Sequence, residues 1–195
     1  METKEFNEKE SLELIARMIQ NTRNNMESRG WQPMLINGYA TLGLALLIYF
    51  LLLYTHNVYY NWLWFGIPVI GFIGHLFESS KHPKRVITFV DRAVGKVWLV
   101  LGSVTGVSAV LAFGKYLPIL FIVALLINAG TTITGLIIRF KALTIGGVIG
   151  LVLAFSLLFI TGLDSILVFA AIFLFCMIIP GHILQYAEKN KRLNS

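Results

Sequence analysis

The sequence has few charged residues and a single cysteine. Asp, Glu, Lys and Arg make up 13% of its 195 residues, whereas hydrophobic residues make up 56%. An average soluble domain is about 25% charged and about 45–50% apolar. With Cys176 as the one cysteine, an intramolecular disulfide is excluded. This composition predicts a chain that is surrounded by lipid and not by water.

The sequence also lacks the short motifs that carry enzyme chemistry. It has no HExxH pair, no glycine-rich phosphate loop and no serine nucleophile motif. No catalytic residue can therefore be named, no cofactor is expected, and we expect a protein that is not an enzyme. The first thirty residues mix acidic and basic side chains without an apolar core, so no signal peptide is predicted. The first apolar run is then expected to act as the insertion signal.

Six apolar runs follow, and none contains Asp, Glu, Lys or Arg. A helix needs about 20 apolar residues to cross about 30 Å of hydrocarbon. The runs lie at 34–54, 59–77, 97–113, 117–138, 143–162 and 165–184. We predict an all-α integral membrane bundle of six transmembrane helices, arranged as three hairpins and preceded by an amphipathic helix. The expected regions are a cytoplasmic helix in 1–32, a membrane domain in 33–185 with an interfacial loop at 78–96, and a cytoplasmic tail in 186–195.

Lysine and arginine give the expected orientation. With six crossings, 15 of the 16 Lys and Arg residues fall on one side, and Lys115 is alone on the other. Because positive residues are retained in the cytoplasm, both termini are predicted to be cytoplasmic. This placement also accounts for the sequence pI of about 9.6 without any nucleic-acid partner.

The first thirty residues predict an amphipathic helix over 8–28. Leu12, Ile15, Ile19 and Met26 share one face, and Gly30 provides a stop. Three interpretations are open for this face. It could lie on the cytoplasmic leaflet, pair with a protein partner or a second copy, or fold back under the bundle. A second one-faced stretch, 84–96, predicts either an interfacial helix leading into the third span or a solvated loop.

Polar residues inside the membrane are the other candidates for function. The densest group lies in the fourth span, where Asn128, Thr131 and Thr132 could line a pore or a substrate path. More often such side chains bond to their own helix or to a neighbouring helix. His75 and His182 each lie near the cytoplasmic end of a predicted span and form a possible metal-binding pair, although the membrane interior offers no third ligand. A histidine close to the last carbonyls of a helix is the simpler interpretation.

Two pairs of small residues spaced by four predict close helix contacts. They are Gly102 with Gly106 in the third span and Gly146 with Gly150 in the fifth. Glycines at this spacing let helix backbones approach closely. Each pair could pack inside one copy of the chain or could form a dimer face.

The chain resembles short bacterial multi-span inner-membrane proteins of unknown function, and the similarity extends over its full length. It is clearest in three segments, 12–25 (LELIARMIQNTRNN), 128–150 (NAGTTITGLIIRFKALTIGGVIG) and 178–184 (IIPGHIL). Those proteins have an amphipathic cytoplasmic helix ahead of the spans. The resemblance implies a bacterial inner membrane and companion cytoplasmic regulators, and it supplies no site residues. The expected function is a non-enzymatic scaffold or sensor, with a small-solute or ion carrier or pore as the alternative.

Overall fold

The computed structural model describes residues 11–17, 31–81, 89–112 and 117–193, and these residues form helices joined by short turns. Residues 11–17 are helical and are called α1. The remaining helices are α2 (Trp31–Thr55), a 3₁₀ helix (Val58–Phe65), α3 (Gly66–Lys81), α4 (Phe89–Ala112), α5 (Ile119–Ile138), α6 (Lys141–Ala154) with a 3₁₀ turn (Phe155–Leu158), α7 (Asp164–Phe173), a π-helical segment (Leu174–Ile178) and α8 (Ile179–Leu193).

Five of these helices are long and apolar enough to cross a membrane. They are Trp31–Thr55, Phe89–Ala112, Ile119–Ile138, Lys141–Leu158 and Asp164–Ala187. The all-α class and the apolar spans expected from the sequence are confirmed to this extent. The predicted second span, 59–77, falls on a shorter apolar helix, Val58–Gly74. A sixth crossing and the three-hairpin layout therefore stay predictions.

The second apolar run begins as a 3₁₀ helix, and Pro68 lies in the first turn of the α-helix that follows it. Because proline has no N–H, the carbonyl of Trp64 receives no hydrogen bond from residue 68. The Gly66 N–H donates to Leu63 O, three residues back, at the junction with α3. At the other end, Asn57 Oδ1 accepts a hydrogen bond of 3.0 Å from the Tyr59 N–H and caps the helix.

The described part of the stretch between the second and third apolar runs is helical. Residues 78–81 continue α3, and 89–96 form the first turns of α4. Of the two alternatives for 84–96, the described part, 89–96, has the helical form that leads into the third span. Its position at the membrane surface stays a prediction.

The hairpin formed by α5 and α6 turns at an Arg residue. Arg139 has a left-handed backbone, with φ of 56°. The Phe140 N–H donates to Gly135 O at 2.9 Å and the Arg139 N–H donates to Leu136 O at 3.2 Å. These two bonds form a Schellman motif, which satisfies the last carbonyls of α5 and allows α6 to begin at once.

The last span lies at the centre of the bundle. It runs from α7 through the π-helical segment into α8, and it packs against α2, α5 and α6. Its buried side chains form the main core cluster with Ala124, Ala154 and Leu157 from α5, α6 and the 3₁₀ turn after α6. The helix α4 is peripheral by contrast. It packs chiefly on α5 and has no buried residue.

Candidate functional site

The apolar face of the N-terminal helix is exposed where the structure describes it. The side chains of Leu12 and Ile15 are 67% and 52% exposed. On the polar side of α1, Arg17 Nη2 lies 2.7 Å from Glu13 Oε1, one turn away. The other two residues predicted for partner contact, Ile19 and Met26, lie outside the described residues. The described turns of α1 therefore present apolar side chains that no other part of the described chain covers.

The hydroxyl groups of the polar patch in α5 bond within their own helix. Thr131 Oγ1 donates to Ile127 O at 2.9 Å, and Thr132 Oγ1 donates to Asn128 O at 2.8 Å. Asn128 Nδ2 likewise donates to Ala124 O at 2.7 Å. Such bonds to the carbonyl four residues back satisfy a hydroxyl without any water or ligand.

Three close contacts between α5 and α6 cover this patch. They join Asn128 to Gly150, Thr132 to Gly147 and Gly135 to Thr144, and they run antiparallel along the two helices. A Cβ atom on Gly135 would lie 2.6 Å from Thr144 Oγ1, and one on Gly147 would lie 2.7 Å from the Thr132 backbone nitrogen. We call these three pairs the α5–α6 contact. It places Gly147 and Gly150 against the polar residues, and it buries Asn128 and Thr131.

One polar atom of the patch lacks a partner. Asn128 is fully buried, and its Oδ1 has no hydrogen-bond donor. A Cβ atom on Gly150 would overlap both this oxygen and the Cys176 Sγ, so both atoms lie against the same face of this glycine. An unsatisfied buried carbonyl costs about 1–3 kcal/mol. Asn128 Oδ1 is one of two buried side-chain oxygens in the described residues that have no hydrogen-bond partner, and the other is Gln32 Oε1.

The two glycine pairs of the sequence have different surroundings. Gly146 and Gly150 pack inside the chain, against Pro180 and against Asn128 with Cys176. Gly102 and Gly106 on α4 have no heavy atom near the place of a Cβ. The first pair thus serves packing within one copy.

His182 takes part in a hydrogen-bonded chain between two helices. Its Nε2 lies 2.7 Å from the Tyr39 hydroxyl of α2, and its Nδ1 lies 3.2 Å from Gln185 Oε1. Because Gln Oε1 only accepts, Nδ1 carries the proton and Nε2 accepts from Tyr39. The side chain of His75 lies outside what the structure describes. Within the described ranges, no group of three or more His, Cys, Asp or Glu residues could hold a metal ion.

The sequence did not single out Tyr39, Gln185 or the packing role of Gly147. Tyr39 is an isolated aromatic residue in the first span, and nothing in the sequence places it beside the last span. Gly147 adjoins a glycine pair that the sequence did indicate, so its position three residues before Gly150 was the available signal. His182 and Gln185 are three residues apart, a spacing at which side chains meet on a helix.

With the geometry described, the class of protein is that of a helical membrane protein, on the basis of the five long apolar helices. No protein-family model, curated protein or solved structure matches the chain.

Proposed function

We propose that this protein is a non-enzymatic scaffold or sensor of a bacterial inner membrane. It crosses the bilayer six times with both termini in the cytoplasm, and it presents the helix at 8–28 to a cytoplasmic protein or to a second copy. Leu12, Ile15, Ile19 and Met26 make the contact. The observation that supports this most directly is the exposure of Leu12 and Ile15 on α1.

Six crossings are supported by the length of the second apolar helix. A 3₁₀ helix rises about 2.0 Å and an α-helix about 1.5 Å per residue. The eight residues Val58–Phe65 therefore add about 16 Å to the roughly 18 Å of 66–77. The total of about 34 Å matches a hydrocarbon core of about 30 Å. A crossing here keeps 15 of the 16 Lys and Arg residues on a single side of the membrane.

The apolar face of α1 supports partner binding for an energetic reason. Burying a Leu or Ile side chain that is otherwise exposed to water contributes about 1.5–3 kcal/mol. Leu12 and Ile15 are one turn apart, so a single partner helix or groove can cover both. The neighbouring Glu13 and Arg17 neutralise each other at 2.7 Å, so the described part of α1 brings little charge to such a contact.

Replacing Leu12 and Ile15 with Asp tests the proposal. We expect the Asp variant to insert into membranes at the normal level. The yield of products cross-linked through Lys4 or Lys9, including those with a second copy, should fall by at least 90%. Arg17→Gln on the polar side is the matched control and should retain the cross-linked species. Mass spectrometry of the cross-linked products gives the measurement. Equal cross-linking by both variants would contradict the proposal.

A carrier or pore lined by Asn128, Thr131 and Thr132 is the second candidate function. The observation that favours it is the Asn128 Oδ1 atom, which is buried without a donor and would bind a solute or ion only when α5 and α6 separate. Flux into liposomes with the native protein and with Asn128→Leu tests it. A carrier of this kind requires native flux that the substitution removes, and equal flux through both proteins would contradict it.

A further inference from the structure

The centre of the last span departs from α-helical geometry. Residues Leu174–Ile178 are π-helical, and the Ile179 N–H donates to Leu174 O, five residues back. A π-helical segment accommodates one extra residue in a helix that is otherwise regular, and such segments are frequent at functional sites. Beyond the segment, each residue therefore occupies the place that the residue before it would take in a regular α-helix, which corresponds to a rotation of about 100° about the helix axis.

Pro180 favours this geometry. In a regular α-helix its ring would clash with the carbonyl of Cys176, and its missing N–H would leave that carbonyl without a donor. The Pro180 ring instead packs on α6, where a Cβ on Gly146 would lie 2.8 Å from its Cγ and 3.6 Å from the carbonyl oxygens of Phe175 and Cys176. The proline and its glycine partner thus stabilise the π-helical form.

Close contacts with α2 hold the start of α8 in its present rotation. A Cβ on Gly38 would lie 2.9 Å from Ile178 Cγ1, and one on Gly181 would lie 2.7 Å from Leu35 Cδ2. One turn further, the Tyr39 hydroxyl bonds to His182, whose other ring nitrogen bonds to Gln185. These contacts all depend on the extra residue, because a rotation of about 100° per residue would separate each pair.

The opposite side of the π-helical segment carries an unsatisfied group. Cys176 lies within the segment, and its Sγ adjoins Gly150 together with the Asn128 Oδ1 that has no donor. The present form therefore combines favourable contacts on the α2 side with an unfavourable buried carbonyl on the α5 side. Two arrangements with such opposing terms can differ by only a few kcal/mol, as a conformational switch requires.

We propose that the last span is a two-position switch whose hinge is the π-helical segment Leu174–Ile178. In the second position the extra residue joins an α-helix that is kinked at Pro180, which relieves the clash with the Cys176 carbonyl, and α8 rotates by about 100°. Each side chain of α8 then takes the place that the next residue occupies now, and Tyr39 parts from His182. Because α8 is helical to Leu193, the rotation reaches the cytoplasmic end of the chain. This goes beyond partner binding by α1 and does not depend on it.

Cysteine reactivity at two neighbouring positions of α8 reports the rotation. Within the chain Ile183 is 49% exposed and Leu184 is 2% exposed. Both lie at the cytoplasmic end of the predicted last span, 165–184, where an uncovered thiol meets the water at the membrane surface. In the native chain we expect Ile183→Cys to react with N-ethylmaleimide and Leu184→Cys to remain unreactive. The unsubstituted protein is the blank, since its Cys176 is buried. In the second position, residue 183 takes the buried place of Leu184, so the order of the two rates reverses.

Pro180→Ala should favour the second position, and deleting one residue of the π-helical segment should restore the native rotation of α8. We expect Pro180→Ala to slow labelling at position 183 at least tenfold and to speed labelling at Leu184→Cys. Deleting Phe175 from the Pro180→Ala chain removes the extra residue, so α8 should regain its native rotation and its native labelling order. Unchanged rates in Pro180→Ala would overturn the proposal. Changed rates that the deletion does not restore would also overturn it, because they would indicate general unfolding.

Discussion

Gly150→Leu is expected to destabilise the bundle by at least about 3 kcal/mol, which lowers the midpoint of thermal unfolding by about 10 °C. The reason is that even a Cβ at this position would overlap Asn128 Oδ1 and Cys176 Sγ, so α6 cannot keep its distance from α5 and from the last span. Tryptophan fluorescence of the purified protein, recorded in detergent micelles during heating, measures the midpoint.

Gly106→Leu is the matched control for this prediction. No heavy atom lies near the place of a Cβ on Gly106, although this glycine is also in an apolar helix at the same four-residue spacing. We expect its midpoint to stay the same or to rise slightly, because leucine has a helix propensity about 1 kcal/mol better than that of glycine. An equal fall for both variants would show that α6 does not approach its neighbours as closely as described here.

Phe169→Ala is expected to cost about 3–5 kcal/mol. Its ring is 1% exposed in the main core cluster, 5.4 Å from the ring of Trp64 and 4.7 Å from that of Phe173. Removing it leaves a cavity between the last span and the 3₁₀ helix of the second apolar run. Near-ultraviolet circular dichroism should also change, because Trp64 loses its edge-to-face neighbour.

Phe175→Ala provides the comparison, since Phe175 is on the same span and is 51% exposed. Its loss leaves no cavity within the described bundle, and we expect a change below about 1 kcal/mol. If Phe175→Ala were as costly as Phe169→Ala, the face of the last span that is assigned to the core would be incorrect.

The positions of the apolar helices could be predicted from the sequence because each is set by composition. A run of about 20 residues without charge has no stable alternative in lipid. The predicted bounds 34–54 and 117–138 accordingly fall within a few residues of α2 and α5.

Features that depend on contacts between distant residues could not be predicted. Pro180 lies within the predicted last span, and a kink, a break and a π-helical segment would each relieve its clash with the preceding turn. The choice among them is made by Gly38 and Gly146, which lie on other helices. For the same reason, the polar patch could be located at Asn128, Thr131 and Thr132, while its close contact with Gly147 and Gly150 was known only from the structure.

The central claim, six crossings with both ends in the cytoplasm, is tested most directly by reporter fusions along the chain. Fusions at positions 57, 88, 115, 141 and 195 are read with alkaline phosphatase, active outside, and with green fluorescent protein, fluorescent inside. We expect 57 and 115 to report the outside, and 88, 141 and 195 to report the cytoplasm. If 57 and 88 report the same side, the second apolar helix does not cross the membrane, and the six-crossing account is contradicted.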